Sequence, residues 1–266
     1  EQYSPFLANT TESGVLKEAL KSKLDSILTA RVREKVQLLE AIPNTMGGQE
    51  QSFTWYSNFN RDFSEFRTVP QVAAGDSAFT KKRNVIFQET KPDFVKRLEA
   101  LDPSLGSLSK ADELLTSAFS LSADRTLPSY QGYADVVAAR QTRILDKLLE
   151  PLSGQLSKIP PTLSGAYKII EWKHEFDNAY DPYKNFKPVR EVFVNWKTKR
   201  EEILQGAKGE FTHKQHALSP NPQGIKRATI MLDEIFPSSE DENLPIYEEY
   251  QAVVLSTIKE LKARAR

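Results

Sequence analysis

Apolar residues recur every three or four positions along most of this chain, which is the pattern of amphipathic α-helices. The first stripe predicts a helix over residues 12–42 that ends before Pro43, and it consists of Leu16, Leu20, Leu24, Ile27 and Leu28. An aromatic helix is predicted next, before Pro70. No segment alternates between apolar and polar residues with period two, so the pattern predicts an all-α fold. The remaining predictions are one broken or two short helices over 77–101, and helices over 107–121, 128–159 with a kink at Pro151, 162–180, 188–204, 209–218, 225–236 and 245–266.

The sequence also resembles itself at a constant offset of 117 residues. Residues 127–137 and 244–254 both read L-P-x-Y-x-x-Y-x-x-V-V. About a quarter of the residues in 37–149 are identical to their counterparts in 154–266, whereas unrelated sequences agree at about one position in sixteen. The identical residues are mainly apolar residues, prolines and glycines, so both copies are expected to adopt the same helical bundle. The structural markers of the repeat are Pro128, Tyr130 and Tyr133 in the first copy and Pro245, Tyr247 and Tyr250 in the second.

The predicted fold is therefore two tandem copies of a ~117-residue helical-bundle module, joined by a long helix in an elongated, repeat-like array. The predicted segments are an N-terminal long helix over 1–43, a first module over 44–159 that includes the linking helix, and a second module over 160–266 that is closed by the C-terminal helix. The long helix occurs three times, because residues 10–42 are a degenerate version of 127–159. Since the chain does not begin with methionine, we expect a mature form or an excised segment. Further modules in a longer array are the alternative to closure of the second module by the C-terminal helix.

Charge and composition argue against several classes of function. Lysine plus arginine and aspartate plus glutamate both number 36, so the net charge is zero and the chain has no overall attraction for nucleic acid. The absence of cysteine excludes disulfides and thiol chemistry. No apolar run is long enough to span a bilayer, so a soluble protein is expected, although its compartment is not indicated. Binding to a membrane surface through the long amphipathic helices is an alternative without a specific sequence signal.

All three histidines lie in the second copy. His213 and His216 have the i, i+3 spacing that can place two imidazoles on one helix face, and Glu210 lies one turn earlier. Together with His174, they are the candidate residues for a metal- or small-molecule-binding domain centred on the second copy, which is an alternative function. The first copy lacks these histidines, so the module itself does not require them.

No motif in the sequence indicates a reaction, because a glycine-rich phosphate loop and a serine nucleophile elbow are both absent. We therefore predict a non-enzymatic helical-repeat protein, without a cofactor, that acts as a scaffold, a spacer or a binding surface for a protein partner. The matched pairs Lys82-Arg83 and Lys199-Arg200 are interpreted as a solvated or ion-paired helix face. The aromatic helices hold more rings than a single core stripe can bury. We expect packing within the protein to account for the surplus rings, and an exposed recognition patch is the alternative. The candidate partner-binding residues are Trp55, Phe66, Trp172 and Tyr183.

Overall fold

The computed structural model of the chain describes residues 11–238 and 241–265. Every regular element in these residues is a helix, so the prediction of an all-α fold is confirmed. Short 3-10 turns precede α3, α5, α7 and α9. The helices are α1 (Thr11–Glu40), α2 (Met46–Asp62), α3 (Pro70–Glu99), α4 (Leu105–Ala118), α5 (Pro128–Ser157), α6 (Leu163–Tyr180), α7 (Lys187–His216), α8 (Pro222–Ile235) and α9 (Pro245–Arg264).

Local sequence explains where these helices begin. The side chains of Thr45 and Thr162 each accept a hydrogen bond at 3.2 Å from the backbone N–H three residues later, so they cap the first turns of α2 and α6. Asn221 caps α8 in the same way at 2.8 Å. Prolines occupy the first turn of five helices, where the missing N–H has no intrahelical partner to lose. These prolines are Pro70, Pro128, Pro188, Pro222 and Pro245.

Two helices continue where the sequence predicted a break, and those predictions are wrong. Helix α3 runs through Pro92, which lies on an exposed side of the helix while Phe87 and Phe94 are buried on either side of it. Tertiary packing of those rings therefore outweighs the helix-breaking tendency of the proline. Helix α7 runs through Gly206, where a Cβ atom would lie 2.5 Å from the carbonyl oxygen of Pro161. Gly206 permits a close approach of backbone to backbone and does not end the helix.

The described residues form two compact units, which divide between residues 141 and 142 of α5. Unit 1 contains residues 11–102 and 106–141, and it buries two apolar clusters. The first cluster joins the second half of α1 to α2 and the start of α3, through Leu28, Val32, Phe59, Phe63 and Val72. The second joins the end of α3 to α4 and the first half of α5, through Phe87, Phe94, Leu98, Ala111, Ala118, Phe119, Leu127, Tyr133 and Val137.

Unit 2 contains residues 103–105, 142–238 and 241–265. Helix α6 packs on α7, and α9 packs on both α7 and α8. The buried side chains are again aliphatic and aromatic, so unit 2 is held together by the same kind of interior as unit 1. The most fully buried apolar side chains on these helices include Ile169, Ile203, Leu204, Phe211, Ala228, Ile235 and Tyr250.

Helix α1 matches the predicted helix, but only its second half is packed in the described residues. Leu28, Val32 and Leu39 are buried. The four residues that begin the predicted stripe are instead between 43% and 57% exposed, and they are Leu16, Leu20, Leu24 and Ile27. An apolar stripe therefore lies open along the first half of α1.

Candidate partner-binding site

His213 and His216 lie near the end of α7, and they are not gathered into a ligand set. Glu210 accepts a hydrogen bond at 2.9 Å from the backbone N–H of Leu163, at the start of α6. His216 faces Glu260 on α9 at 3.4 Å, with both side chains about half exposed. Within the part of the chain that the structure describes, no three histidine and carboxylate side chains lie together as a metal site would need. His213, His216 and Glu210 therefore do not form such a group, and His174 is placed on α6, against Asn178.

The aromatic residues predicted to bind a partner contact other residues of their own unit. Trp55 is half-buried, stacks on Phe59 at 4.8 Å between ring centroids, and donates its indole N–H to the carbonyl oxygen of Lys35 at 2.8 Å. Phe66 is half-buried against the same cluster. Trp172 is buried and stacks on Phe176, while Tyr183 is half-buried beside Phe186.

The marker tyrosines join the long helices of each unit. Tyr133 on α5 donates its hydroxyl to the carbonyl oxygen of Phe87 at 2.6 Å, and Tyr250 on α9 donates to that of Leu204 at the same distance. Burial raises the pKa of both phenols, because the charged phenolate would lose its hydration. Tyr130 and Tyr247 meet the rings of Phe119 and Phe236 edge-on, and Pro128 and Pro245 begin their helices.

Arg83 and Arg200, which are 117 residues apart, are both ion-paired, as one form of the sequence interpretation expected, but they are buried and not on a solvated helix face. Arg83 is 1% exposed and binds both carboxylate oxygens of Asp124, with an Nε–Oδ1 distance of 3.0 Å. Its remaining Nη1 donates to the carbonyl oxygen of Gln49 at 2.6 Å and to the hydroxyl of Ser52 at 3.0 Å. Asp124 and Asp241 are also 117 residues apart in the sequence. This match is the sequence signal that could have indicated a buried ion pair with the two arginines.

Arg200 is less completely paired than Arg83. Its Nη2 lies 2.7 Å from Asp241 Oδ1 and donates to the carbonyl oxygen of Ile235 at 3.0 Å, but its buried Nε has no hydrogen-bond partner. Loss of hydration on burial lowers the pKa of Arg200, and the neighbouring Asp241 carboxylate opposes this effect. Ala166 and Ile169 stand where unit 1 has Gln49 and Ser52, so the polar partners of Arg83 are replaced by apolar side chains.

Arg200 forms the inner wall of an open groove of about 720 Å³ in unit 2. We call this the unit 2 groove. It lies between α6, α7 and the residues that connect α8 to α9, and its principal side chains are Lys173, Asp177, Phe193, Trp196, Lys197 and Arg200. A groove of this volume can take a few side chains of a partner, and it combines apolar rings with cations and with the carboxylates of Asp177, Glu201 and Asp241.

Two rings and two cations of α7 lie together with Lys173 of α6 in the unit 2 groove. Phe193 and Trp196 stack at 5.6 Å, and Lys173 Nζ lies 4.9 Å and 5.1 Å from the centres of these two rings. Lys197 Nζ is also 4.9 Å from the Phe193 ring, and Arg200 lies over Trp196 at 5.5 Å. Cations over ring faces gain about 0.5–1 kcal/mol each at exposed sites, so these contacts hold the lysines against α7.

The corresponding place in unit 1 is filled by a ring. Tyr56 stacks on Phe79 with centroids 4.1 Å apart, and their counterparts in unit 2 are Lys173 and Trp196. Lys173 therefore takes the place of a ring and adds a positive charge, while Phe193, which stacks on Trp196, stands where unit 1 has Asp76. Lys173 is paired with Asp177, whereas Lys197 makes no ion pair with any residue that the structure describes.

Comparison of the chain with known protein families, with characterised proteins and with solved structures found no match. None of the described helices is long and apolar enough to cross a lipid bilayer.

Proposed function

We propose that the chain consists of two copies of one helical module and acts, without catalysis, as a scaffold that binds a protein partner through the unit 2 groove. The equal spacing of the helices supports the duplication. Helices α3 and α7 span 70–99 and 187–216, and α4 and α8 span 105–118 and 222–235, so each pair is 117 residues apart. The three long helices α1, α5 and α9 begin at residues 11, 128 and 245, at the same interval.

Shared interior contacts support the same proposal. The arginine–aspartate pair of unit 1, Arg83 with Asp124, has its counterpart in Arg200 with Asp241. The tyrosine hydroxyls of α5 and α9 donate to carbonyl oxygens 46 residues earlier in both units. Buried polar contacts of this kind are sensitive to geometry, so their recurrence at one offset is better explained by a repeated module than by chance.

The observation that carries the functional proposal is the difference between the units at the groove. The interior contacts are kept, while Lys173 and Lys197 stand where unit 1 has Tyr56 and Thr80. In unit 2 these two lysines lie beside the rings of Phe193 and Trp196 in an open groove. Among the residues that the structure describes, no carboxylate is paired with Lys197, whereas Lys173 and Arg200 are paired with Asp177 and Asp241. A partner segment that places an acidic side chain beside an apolar one matches this arrangement, because the carboxylate meets Lys197 and the apolar group lies on Trp196.

Selection of random short peptides on the immobilised full-length chain tests the proposal. We expect the enriched peptides to combine acidic with apolar residues, and to bind the Lys197→Glu variant roughly tenfold or more weakly, since reversal of an interfacial charge replaces attraction with repulsion. Binding is measured by titration of each synthetic peptide, and raised salt weakens it by screening the charges.

Thr80→Glu is the matched control, because Thr80 is the exposed counterpart of Lys197 in unit 1. It adds the same side chain at the equivalent place and is expected to leave peptide binding unchanged. The proposal is overturned if no peptide is enriched, or if the selected peptides bind the wild-type chain and Lys197→Glu equally well.

A further inference from the structure

The open apolar stripe on α1 is the strongest remaining feature of the surface. Its four residues occupy one face of the helix over three turns, and monomeric proteins rarely leave such a face uncovered. The stripe consists of Leu16, Leu20, Leu24 and Ile27.

The equivalent positions of α5 are fully covered. At an offset of 117 residues, the stripe corresponds to Tyr133, Val137, Gln141 and Ile144, which are 0%, 2%, 5% and 1% exposed. The same positions of α9 begin with Tyr250 and Val254, which are 0% and 3% exposed. The same face of the long helix is therefore covered in α5 and at the start of α9, and it is open in α1.

Helices α3 and α4 cover α5 at the first three of these positions, Tyr133, Val137 and Gln141. Tyr133 reaches the backbone of α3 at Phe87, and its ring lies 4.9 Å from that of Phe119 after α4. Gln141 donates to the carbonyl oxygen of Leu108 on α4 at 3.1 Å. In unit 2, α7 and α8 cover α9 in the same manner, with Phe211 and Phe236 against Tyr250.

We infer that the stripe on α1 is a docking face for a further helical module of the same kind, which contributes two helices equivalent to α3 and α4. This inference rests on the equivalence of α1, α5 and α9 in the proposed function. A second copy of this chain does not offer such a pair, because its own α5 and α9 already fill both positions. Lys23 supports the assignment, since its counterpart Arg140 donates to the carbonyl oxygen of Glu99 at the end of α3.

The stripe also has the composition of a covered face. It is purely aliphatic, with leucines in place of the tyrosine and the glutamine of α5, so no polar group on it needs a partner when water is excluded. The occupant therefore presents an apolar surface, as α3 and α4 do with Phe94, Leu98 and Ala111.

An extended chain tests this inference. A second copy of residues 28–127 is joined to Thr11 in place of residues 1–10, so that Leu127 precedes α1 as it precedes α5. The chain has no cysteine, so Leu20→Cys supplies a single thiol whose reaction with a maleimide reports exposure. We expect rapid labelling in the original chain and labelling slowed roughly tenfold or more in the extended chain, where local opening must come first.

Two further cysteine variants serve as controls. Thr29→Cys lies on an exposed position of α1 and should react rapidly in both chains. Val137→Cys, the counterpart of Leu20→Cys on α5, should be protected in both. Circular dichroism measures whether the added copy is helical, as the module proposal requires.

The outcomes separate the docking inference from the proposed function. If the added copy is helical and Leu20→Cys still reacts rapidly, docking on α1 is overturned while the module proposal and the groove stand. If the added copy does not fold, both the repeat and the docking inference fail. Protection of Leu20→Cys in the original chain, with a dimeric mass by light scattering, overturns the assignment in favour of a second copy.

Discussion

The buried arginine of each unit shows how a single side chain can fix the position of several segments. Arg83 joins α3 to Gln49 and Ser52 of α2 and to Asp124 before α5, so three segments meet at one guanidinium group. Its five N–H donors lie in a rigid plane, which restricts the directions from which partners can approach. An ion pair of this kind adds little net stability compared with apolar packing, but loss of one partner leaves a buried charge and costs about 3–5 kcal/mol.

The buried tyrosines give the protein a specific sensitivity to alkaline pH. Burial raises the pKa of Tyr250 above its usual value near 10, so the neutral phenol is favoured in the folded state. The stabilisation that results is complete below pH ~10 and is lost as the pH rises through the pKa of the folded protein. We expect the free energy of unfolding, measured with urea, to fall more steeply above pH ~10 in the wild-type chain than in Tyr250→Phe.

At neutral pH, Tyr250→Phe is expected to lower the free energy of unfolding by about 1 kcal/mol, because the carbonyl oxygen of Leu204 loses its hydrogen bond. The two proteins share every other titratable group, so the difference between the two slopes isolates the phenol. Equal slopes in the two proteins would contradict the assigned role of Tyr250.

At the scale of the helices, Gly48 and Gly165 set the angle at which the chain enters α2 and α6. A Cβ atom at Gly48 would lie 1.9 Å from the carbonyl oxygen of Pro43, and at Gly165 the distance to Pro160 is the same. Both contacts are with backbone carbonyl oxygens, so they can be relieved only by a shift of the backbone. We therefore expect Gly48→Ala to lower the free energy of unfolding of unit 1 by about 1–3 kcal/mol, measured with urea.

Gly47→Ala provides the matched control for this prediction, one residue away in the same helix. Its added methyl group would meet nothing closer than the Thr45 hydroxyl at 3.9 Å. An alanine there gains helix propensity and is expected to stabilise the protein by up to about 1 kcal/mol. A similar effect of both substitutions would show that contact with Pro43 does not constrain the entry to α2.

The sequence predicts the helices well where local signals act alone. Threonine caps, first-turn prolines and the three-to-four-residue spacing identify most of the helix starts within a few residues. It predicts the continuity of α3 and α7 poorly, because Pro92 and Gly206 weaken a helix locally while packing on both sides preserves it. The unit 2 groove was missed for a related reason, since it depends on Lys173 and Trp196, which come from different helices.

At the scale of the whole molecule, the two units combine a shared interior with different surfaces. If the units are copies of one module, as we propose, the identical residues maintain the helix positions and the remaining positions are free to change. Lys173 and Lys197 in unit 2 and the open leucines of α1 occupy such positions. The unit 2 groove would therefore distinguish one module from the other. The α1 stripe would instead bind a further module through the same kind of contact that covers α5 and α9.

The three long helices provide a direct test of this view in the unmodified chain. Residues 14–24 of α1 have no buried apolar side chain, whereas their counterparts at 131–141 and 248–258 include Tyr133, Val137, Tyr250 and Val254. Backbone amides exchange through local opening, whose free energy rises with the tertiary contacts that must be broken. We expect hydrogen exchange, followed by mass spectrometry, to be fast over 14–24 and slow over the other two segments. Equal protection of all three would mean that α1 is already covered in the isolated chain, and slow exchange over 131–141 alone would contradict the equivalence of the modules.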